Sequence, residues 1–211
     1  MSEELRSRYL HFRRISKEYL SYLPSKRDDP DFDLRKVGKL LDIYHNGKMI
    51  FESENELSIM MDFAITESLF NGKSLVEREL ESAKDLDNDH RLILEAFRSS
   101  YTSLFEVIVN NASASTVKLY DTLNNSEEEI VDVNFSRTVN PGLLLFCRIV
   151  RIQDFAMTSG AVFIFRGQLR DVLVRRYRSG LKSRFAINES VTRFILFHGL
   201  NREFGEALEL I

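Results

Sequence analysis

The amino-acid sequence predicts an α+β protein with an N-terminal helical region, a small antiparallel five-stranded barrel-like sheet and C-terminal helices. Up to Tyr101 the apolar residues recur every three or four positions, as on one face of a helix. From Ser103 to Phe165 they form short runs of β-branched and aromatic residues between turn residues, as in strands. After Phe165 the helical spacing returns, so the sheet is expected to lie between two helical segments.

The N-terminal region is predicted to hold about five helices. An apolar stripe from Leu5 to Tyr19 marks the first, and Pro24 is expected to stop it because proline lacks the amide that a helix needs. A second stripe, Leu34 to Tyr44, is expected to end at Asn46-Gly47, since both residue types adopt positive φ readily.

Cap signals mark the next three helices. In a capping box a serine oxygen accepts from the amide three residues later, and a glutamate at that position reaches back to the serine amide. Ser53 with Glu56 and Ser74 with Glu77 fit this pattern. The fifth helix, roughly residues 89–101, is expected to be capped by the aspartate-rich segment at residues 87–89.

Five short strands follow without an intervening helix, which favours an antiparallel meander curled into a small barrel or a strongly bent sheet. The segment Leu143 to Val150 is apolar for nearly its whole length and is placed centrally. Two helices, Gln168 to Arg178 and Glu189 to Leu210, are predicted to close the chain. We therefore predict three regions: helices over residues 1–101, a barrel-like sheet over 102–166, and helices over 167–211 that pack on the rest.

Composition is that of an ordinary globular protein, with 44% apolar and 29% charged residues. Cys147 is the single cysteine, so no intrachain disulfide can form and a reducing compartment is indicated. The charged segment Met1 to Arg14 lacks the apolar run of a secretory signal. The longest apolar stretches are of strand length, well short of the ~20 residues that span a bilayer. We expect a cytoplasmic protein with no membrane partner.

The sequence contains no recognised metal, nucleotide or catalytic signature. Asp85, Asp87 and Asp89 open like a calcium loop, but His90 and Ala96 stand where that loop needs glycine and glutamate. The four histidines are scattered, and no Gly-rich phosphate loop or nucleophile elbow is present. We expect no metal and no cofactor. The sequence favours a protein that is not an enzyme but leaves that question open.

Basic residues dominate Arg166 to Arg193, where eight Lys or Arg stand against two Asp or Glu. Arginines interleaved with aromatic residues suit phosphate contacts and base stacking. A solvated helix face has the same composition, and the sequence pI of about 5.9 is below the range of dedicated nucleic-acid domains. The candidate binding residues in this segment are Arg170, Arg175, Arg176, Tyr177, Arg178 and Arg184.

A second candidate is the loop from Ser136-Arg137-Thr138 to Asn140-Pro141-Gly142, which offers a cation and two hydroxyls beside a central strand. Ser136 and Arg137 are its candidate binding residues. The favoured interpretation is structural: Asp121 or Asp132 pairs with the arginine, and the hydroxyls bond to the turn backbone.

One group of residues from Ser103 onward follows a known pattern. The group comprises Ser103-Leu104-Phe105-Glu106-Val107, the turn at Asp121, Ser136-Arg137-Thr138, Pro141-Gly142, Phe146, Arg148 and Ser159-Gly160-Ala161. It resembles the barrel-like region of some bacterial proteins that also carry a SEC-C zinc motif, over about Leu69 to Leu173. The resemblance implies a bacterial protein of a family without an assigned function. With a single cysteine the chain lacks the Cys-rich zinc tail, so no zinc role is implied.

These observations predict a non-enzymatic binding or adaptor protein that acts through protein contacts, with self-association as a homodimer an option. A nucleic-acid-binding regulator that uses Arg166 to Arg193 is the alternative, and a hydrolase with a site assembled from distant residues is the weakest one. An exposed arginine face would favour nucleic acid, whereas arginines paired with Glu77 to Glu95 would favour a scaffold. A pocket with converging carboxylates or histidines would favour the hydrolase.

Overall fold

The computed structural model describes residues 2–26, 32–53, 55–69, 71–183 and 188–206. Their helices and antiparallel strands confirm the predicted α+β class. The chain divides into two compact units, Ser2–Ser100 and Tyr101–Ile211, which we call the helical unit and the sheet unit. The division into three regions stays a prediction.

The described residues of the helical unit form five helices and a small hairpin. The core of this unit is formed by buried apolar side chains of the helices, among them Phe12, Phe63, Val76, Ile93 and Phe97. The elements are α1 (Glu3–Lys26), α2 (Leu34–Leu40), β1 (Tyr44–His45), β2 (Lys48–Met49), α3 (Asn55–Thr66), α4 (Leu75–Ser82) and α5 (Asn88–Arg98).

Two of the three predicted caps are confirmed. Ser74 and Glu77 form a complete capping box at the start of α4. Asp87 caps α5, with its Oδ1 accepting from the His90 amide at 2.9 Å. The box predicted at Ser53 is wrong: its backbone carbonyl, at 3.2 Å, accepts from the Glu56 amide, while the Glu56 carboxylate accepts from the amide of Glu52.

Two predicted helix ends are also wrong. Helix α1 continues through Pro24 to Lys26. The proline is tolerated because it lies in the last turn, where the helical hydrogen bonds that it interrupts are few. Helix α2 ends at Leu40, before the predicted stop. Asn46-Gly47 instead turns the β1–β2 hairpin, with φ of 51° and 81°, because two consecutive positive φ values suit a two-residue hairpin turn.

In the sheet unit, the residues that the structure describes form five strands in the order β5-β4-β3-β6-β7, each antiparallel to its neighbour. The predicted antiparallel pairing is therefore confirmed, but a simple meander is a wrong expectation. Helix α6 follows β5, and β6 then pairs with β3 instead of β5. Strand β6 is an interior strand, although β3 holds the middle position. The elements are β3 (Tyr101–Asn111), β4 (Thr116–Asp121), β5 (Ser126–Val131), α6 (Phe135–Thr138), β6 (Leu144–Ile152), β7 (Phe155–Phe165), a 3-10 turn (Gly167–Leu169), α7 (Arg170–Ser183) and α8 (Glu189–Phe204).

The sheet is strongly bent but not closed. Edge strands β5 and β7 come within 8 Å between Cα atoms, yet no ladder joins them in the described sheet. A closed β-barrel is therefore a wrong expectation. Arg151, at the end of β6, instead forms an ion pair with Glu128 of β5, and Tyr101 donates to the same carboxylate at 3.0 Å. Side chains at this rim thus link strands that the backbone leaves unpaired.

The two faces of the sheet are both buried around β6. On one face lies an apolar core of Phe105, Val107, Val117, Leu119, Ile130, Val139, Leu145, Cys147, Ile149, Ala156 and Ile164. On the other face Phe146 stacks between Phe163 and Phe197 of α8, with ring centres 5.6 Å and 4.3 Å away. Each such side chain contributes roughly 1.5–3 kcal/mol by its burial. The predicted burial of Cys147 is confirmed.

Candidate interaction surface

Strand β3 extends beyond the part of it that pairs with β6. It pairs with β6 only over Tyr101–Glu106, but with β4 as far as Asn111. The last links on the β6 side join the Val107 amide to the Leu143 carbonyl at 2.9 Å and the Gly142 amide to the Val107 carbonyl at 2.8 Å. Within the described part of the chain, residues 108–111 have ladder bonds to β4 alone.

A β-bulge lies at this point of β3. The register with β4 shifts between Val107 and Val109, which leaves Ile108 as an extra residue. Ile108 is 39% exposed and Val109 is 50% exposed, while Val107 is buried. The bulge thus changes a buried strand into an exposed apolar one within three residues. No alternating pattern in the sequence predicts this change in exposure. The three consecutive apolar residues from Val107 to Val109 are the feature of the sequence that could have indicated it.

Helix α6 holds the predicted loop candidates beside the bulge. The Asn110 side-chain amide donates to the Ser136 carbonyl at 3.4 Å. Ser136 is fully buried and donates from Oγ to the Val133 carbonyl at 3.2 Å, so it is a structural residue. Arg137 is exposed, and no hydrogen bond or ion pair holds its guanidinium among the described residues. We call Ile108, Val109 and Arg137 the bulge patch.

The two aspartates that the structural interpretation offered to Arg137 are engaged elsewhere. Asp121 is fully buried and accepts from Ser103 Oγ at 2.5 Å and from the amides of Leu123 and Asn124 at 3.0 Å and 3.1 Å. Asp132 Oδ1 accepts from the amides that open α6, at 2.9 Å and 2.8 Å. Both carboxylates hold turns rather than the arginine.

Among the residues that the structure describes, four arginines of the basic segment Arg166 to Arg193 pair with carboxylates of the sheet unit. Arg170 pairs with Glu106 at 3.0 Å, and its guanidinium lies 5.6 Å from the centre of the Tyr120 ring. Arg176 binds both carboxylate oxygens of Glu203, at 2.6 Å and 3.0 Å. These partners are not the acids of residues 77–95. Arg166 also forms an ion pair, with Glu206 just after the end of α8, at 2.6 Å.

Tyr177 is a buried link between helices, not an exposed stacking platform. Arg193 donates to its hydroxyl at 3.1 Å, to Glu189 at 2.9 Å and to the Thr102 carbonyl at 2.6 Å. Burial of the phenol raises the pKa of Tyr177. The arrangement ties α7, α8 and β3 together.

Two arginines of the segment remain outside these pairs. Arg175 and Arg178 are exposed on α7, and neither forms an ion pair within the residues that the structure describes. Arg184 lies outside the described residues. The predicted candidates therefore separate into paired side chains, a buried tyrosine and two exposed cations.

Histidine–aspartate contacts occur in the helical unit at the start of α5. His90 Nδ1 lies 2.7 Å from Asp87 Oδ2, and His11 Nε2 lies 2.7 Å from Asp89 Oδ2. Backbone and side-chain hydrogen bonds from His90 lower the pKa of Asp87, as expected of a helix cap. Among the described residues no group of His, Cys, Asp and Glu is arranged to hold a metal ion, and no helix is long and apolar enough to cross a membrane.

Comparison with known proteins identifies a family but no activity. Neither the curated proteins nor the solved structures gave a match to the chain. The resemblance to the SEC-C-associated region is not addressed by these comparisons and stays a prediction. The model of a family described as a family of unknown function (DUF7986) matches residues 3–211. The chain belongs to that family.

Proposed function

We propose that the protein is a non-enzymatic binding or adaptor protein, and that it contacts a protein partner through the bulge patch. The observation that carries this proposal is the exposure of Ile108 and Val109 in succession near the end of β3. The neighbouring Asn110 bonds to α6, the helix that carries the exposed Arg137. Apolar side chains exposed together beside a cation are typical of a surface that a partner covers. The reducing, cytoplasmic setting indicated by the single Cys147 belongs to the same proposal.

Four buried residues of the sheet unit support binding over catalysis. Ser103 and Asp121 bond to each other and to a turn, Ser136 bonds to backbone, and Cys147 lies in the apolar core. A catalytic group must reach a substrate, whereas these four are buried and engaged.

A peptide selection tests the proposal. The full chain is immobilised and a phage-displayed library of random dodecapeptides is selected on it, and enriched peptides are then measured against the variant Val109→Glu. We expect affinity to fall at least about tenfold, because one lost apolar contact of about 1.4 kcal/mol gives that factor. The variant should fold, since Val109 is half exposed and a carboxylate at this position stays in contact with water.

Leu57→Glu is the matched control. Leu57 is 51% exposed, close to the 50% of Val109, but it lies on α3 in the helical unit. Peptides that bind through the bulge patch should keep their affinity for this variant. No enrichment, or equal losses in both variants, would contradict the proposed surface.

A nucleic-acid-binding role is the second candidate, and the exposed Arg175 and Arg178 favour it. We expect any binding of mixed-sequence RNA or DNA to weaken with salt, with the slope reduced by about 1–2 in Arg175→Glu/Arg178→Glu. This double substitution leaves the Arg176–Glu203 ion pair intact. The control is Lys36→Glu/Lys48→Glu, which changes exposed charges of the helical unit. Absence of binding at low salt would remove this candidate.

A further inference from the structure

We propose that the partner segment bound at the bulge patch is extended, carries an acidic residue among apolar ones, and adds as a strand to the open edge of β3 at residues 108–111. This inference rests on the proposed function and specifies its partner. It follows from three properties of the patch: an unpaired backbone edge, two exposed apolar side chains and one cation without an acidic partner.

The backbone edge is the first property. Strand β6 begins at Leu144, and its pairing with β3 stops at Glu106. Beyond the links at Val107, the β6 side of residues 108–111 has no backbone partner in the described structure. An open strand edge offers amides and carbonyls at the spacing that an extended peptide needs. This edge is short, so strand addition alone gives little affinity and side chains must add to it.

The apolar pair supplies those side-chain contacts. Ile108 and Val109 lie at the bulge, where successive residues no longer alternate strictly between faces. Both are β-branched, so they lose little side-chain entropy when a partner covers them. A partner strand running beside them would place its own alternate apolar residues against this pair.

Charge complementarity selects an acidic partner. Lys118, the cross-strand neighbour of Val109, is already paired with Glu127 at 2.7 Å. Arg137 is the cation of the bulge patch that remains available, because α6 directs it to solvent while Ser136 anchors the helix. A guanidinium binds a carboxylate through two parallel hydrogen bonds, which a partner glutamate or aspartate would satisfy.

A second copy of this chain is the other acidic, partly apolar strand to consider. Edge strand β5 carries Glu127, Glu128 and Glu129. However, Glu127 is paired with Lys118, and Glu128 with Arg151 and Tyr101. Pairing of β5 with β3 of another copy would also be a head-to-tail contact, which builds a ring or an open filament instead of the commoner twofold dimer. The structure therefore favours a separate partner segment.

The test uses peptides enriched on the full chain that have lost affinity for Val109→Glu. We expect these peptides to be rich in Asp or Glu beside apolar residues. Their affinity should fall at least about tenfold in Arg137→Glu, and by less than about twofold in Arg175→Glu, which reverses an exposed arginine elsewhere in the sheet unit. Amide hydrogen exchange of residues 108–111 should slow when the peptide is bound.

The outcomes separate this inference from the proposed function. Peptides that depend on Val109 but lack acidic residues, ignore Arg137→Glu or leave exchange at residues 108–111 unchanged overturn strand addition and leave the binding surface standing. Failure to obtain any Val109-dependent peptide overturns the function itself. Concentration-dependent self-association that Val109→Glu abolishes, seen by sedimentation without peptide, identifies a second copy as the occupant and overturns the inference.

Discussion

Gly167 lies where two loops of the sheet unit meet, directly against the backbone of Gly142. A Cβ at Gly167 would overlap the Gly142 carbonyl oxygen, and backbone cannot move aside as a flexible side chain can. This contact positions the turn that leads from β7 into α7 next to the turn before β6. The glycine is therefore required by close approach rather than by φ.

We predict that Gly167→Ala lowers the free energy of unfolding by about 1–3 kcal/mol, the usual effect of forcing extra volume into a packed site. Gly199→Ala is the control. In the described structure, a Cβ at Gly199, in the interior of α8, would have no atom within 4 Å apart from its chain neighbours and the backbone of its own helix. That substitution should stabilise the protein by up to about 1 kcal/mol, through helix propensity. Urea unfolding measures both, and equal effects of the two substitutions would contradict the packing argument.

Single residues were predictable from the sequence where their partners are near in the chain. Asp87 as a cap and Ser74 as half of a capping box follow from local chemistry. The surroundings of Asp121 and Arg137 could not be predicted in this way. Ser103 bonds to Asp121 from the neighbouring strand, and Arg137 is left without an acidic partner in the described chain only once the other charged groups have paired in the folded chain. The candidate Ser136-Arg137 was found, but the apolar half of the bulge patch was missed.

Among the elements, the caps allow a direct comparison of two sequences with the same pattern. Ser74→Ala should cost about 1 kcal/mol of unfolding free energy, since the Glu77 amide loses the oxygen that it donates to at 3.2 Å. Ser53→Ala should change stability by less than about 0.5 kcal/mol, because the contact there is made by backbone. Thermal or urea unfolding separates the two, and a larger effect at Ser53 would disprove this account.

The sequence predicted elements well where the apolar period is long and poorly where the element is short. Five strands and the long helices carry several apolar repeats each. The hairpin of β1 and β2 and the four-residue α6 are too short for any period to show. The bulge in β3 is a shift in its register with β4, which is a property of the pairing rather than of either strand.

For the molecule as a whole, the α+β class was predictable because helical and strand-like spacing occupy separate stretches of the chain. Closure of the sheet was not, because it depends on the distance between β5 and β7, which no local pattern encodes. The charge asymmetry along the chain was equally ambiguous. The arginines pair with acidic residues of their own unit that are distant in the chain. Composition does not predict which acidic residues these are.

The response of the sheet unit to alkali provides a test at this largest scale. Burial, with the neighbouring Glu128 carboxylate as the next cause, raises the pKa of Tyr101, and burial raises that of Tyr177. A group whose pKa is raised by folding stabilises the native state fully below its unfolded value, here 10.0. That stabilisation is lost as pH rises through the folded value, because the unfolded chain releases the proton first.

We therefore predict that the unfolding free energy falls as pH rises above about 10, and that the two tyrosines ionise together with unfolding. Tyrosinate absorbance and far-ultraviolet circular dichroism, followed on one sample, should change in step. In Tyr101→Phe/Tyr177→Phe the fall per pH unit should be shallower, whatever the cost of the lost hydrogen bonds at neutral pH, because phenylalanine releases no proton. An unchanged slope would show that neither phenol couples ionisation to folding, and that the rim pair with Glu128 and the helix link through Arg193 remain open to solvent.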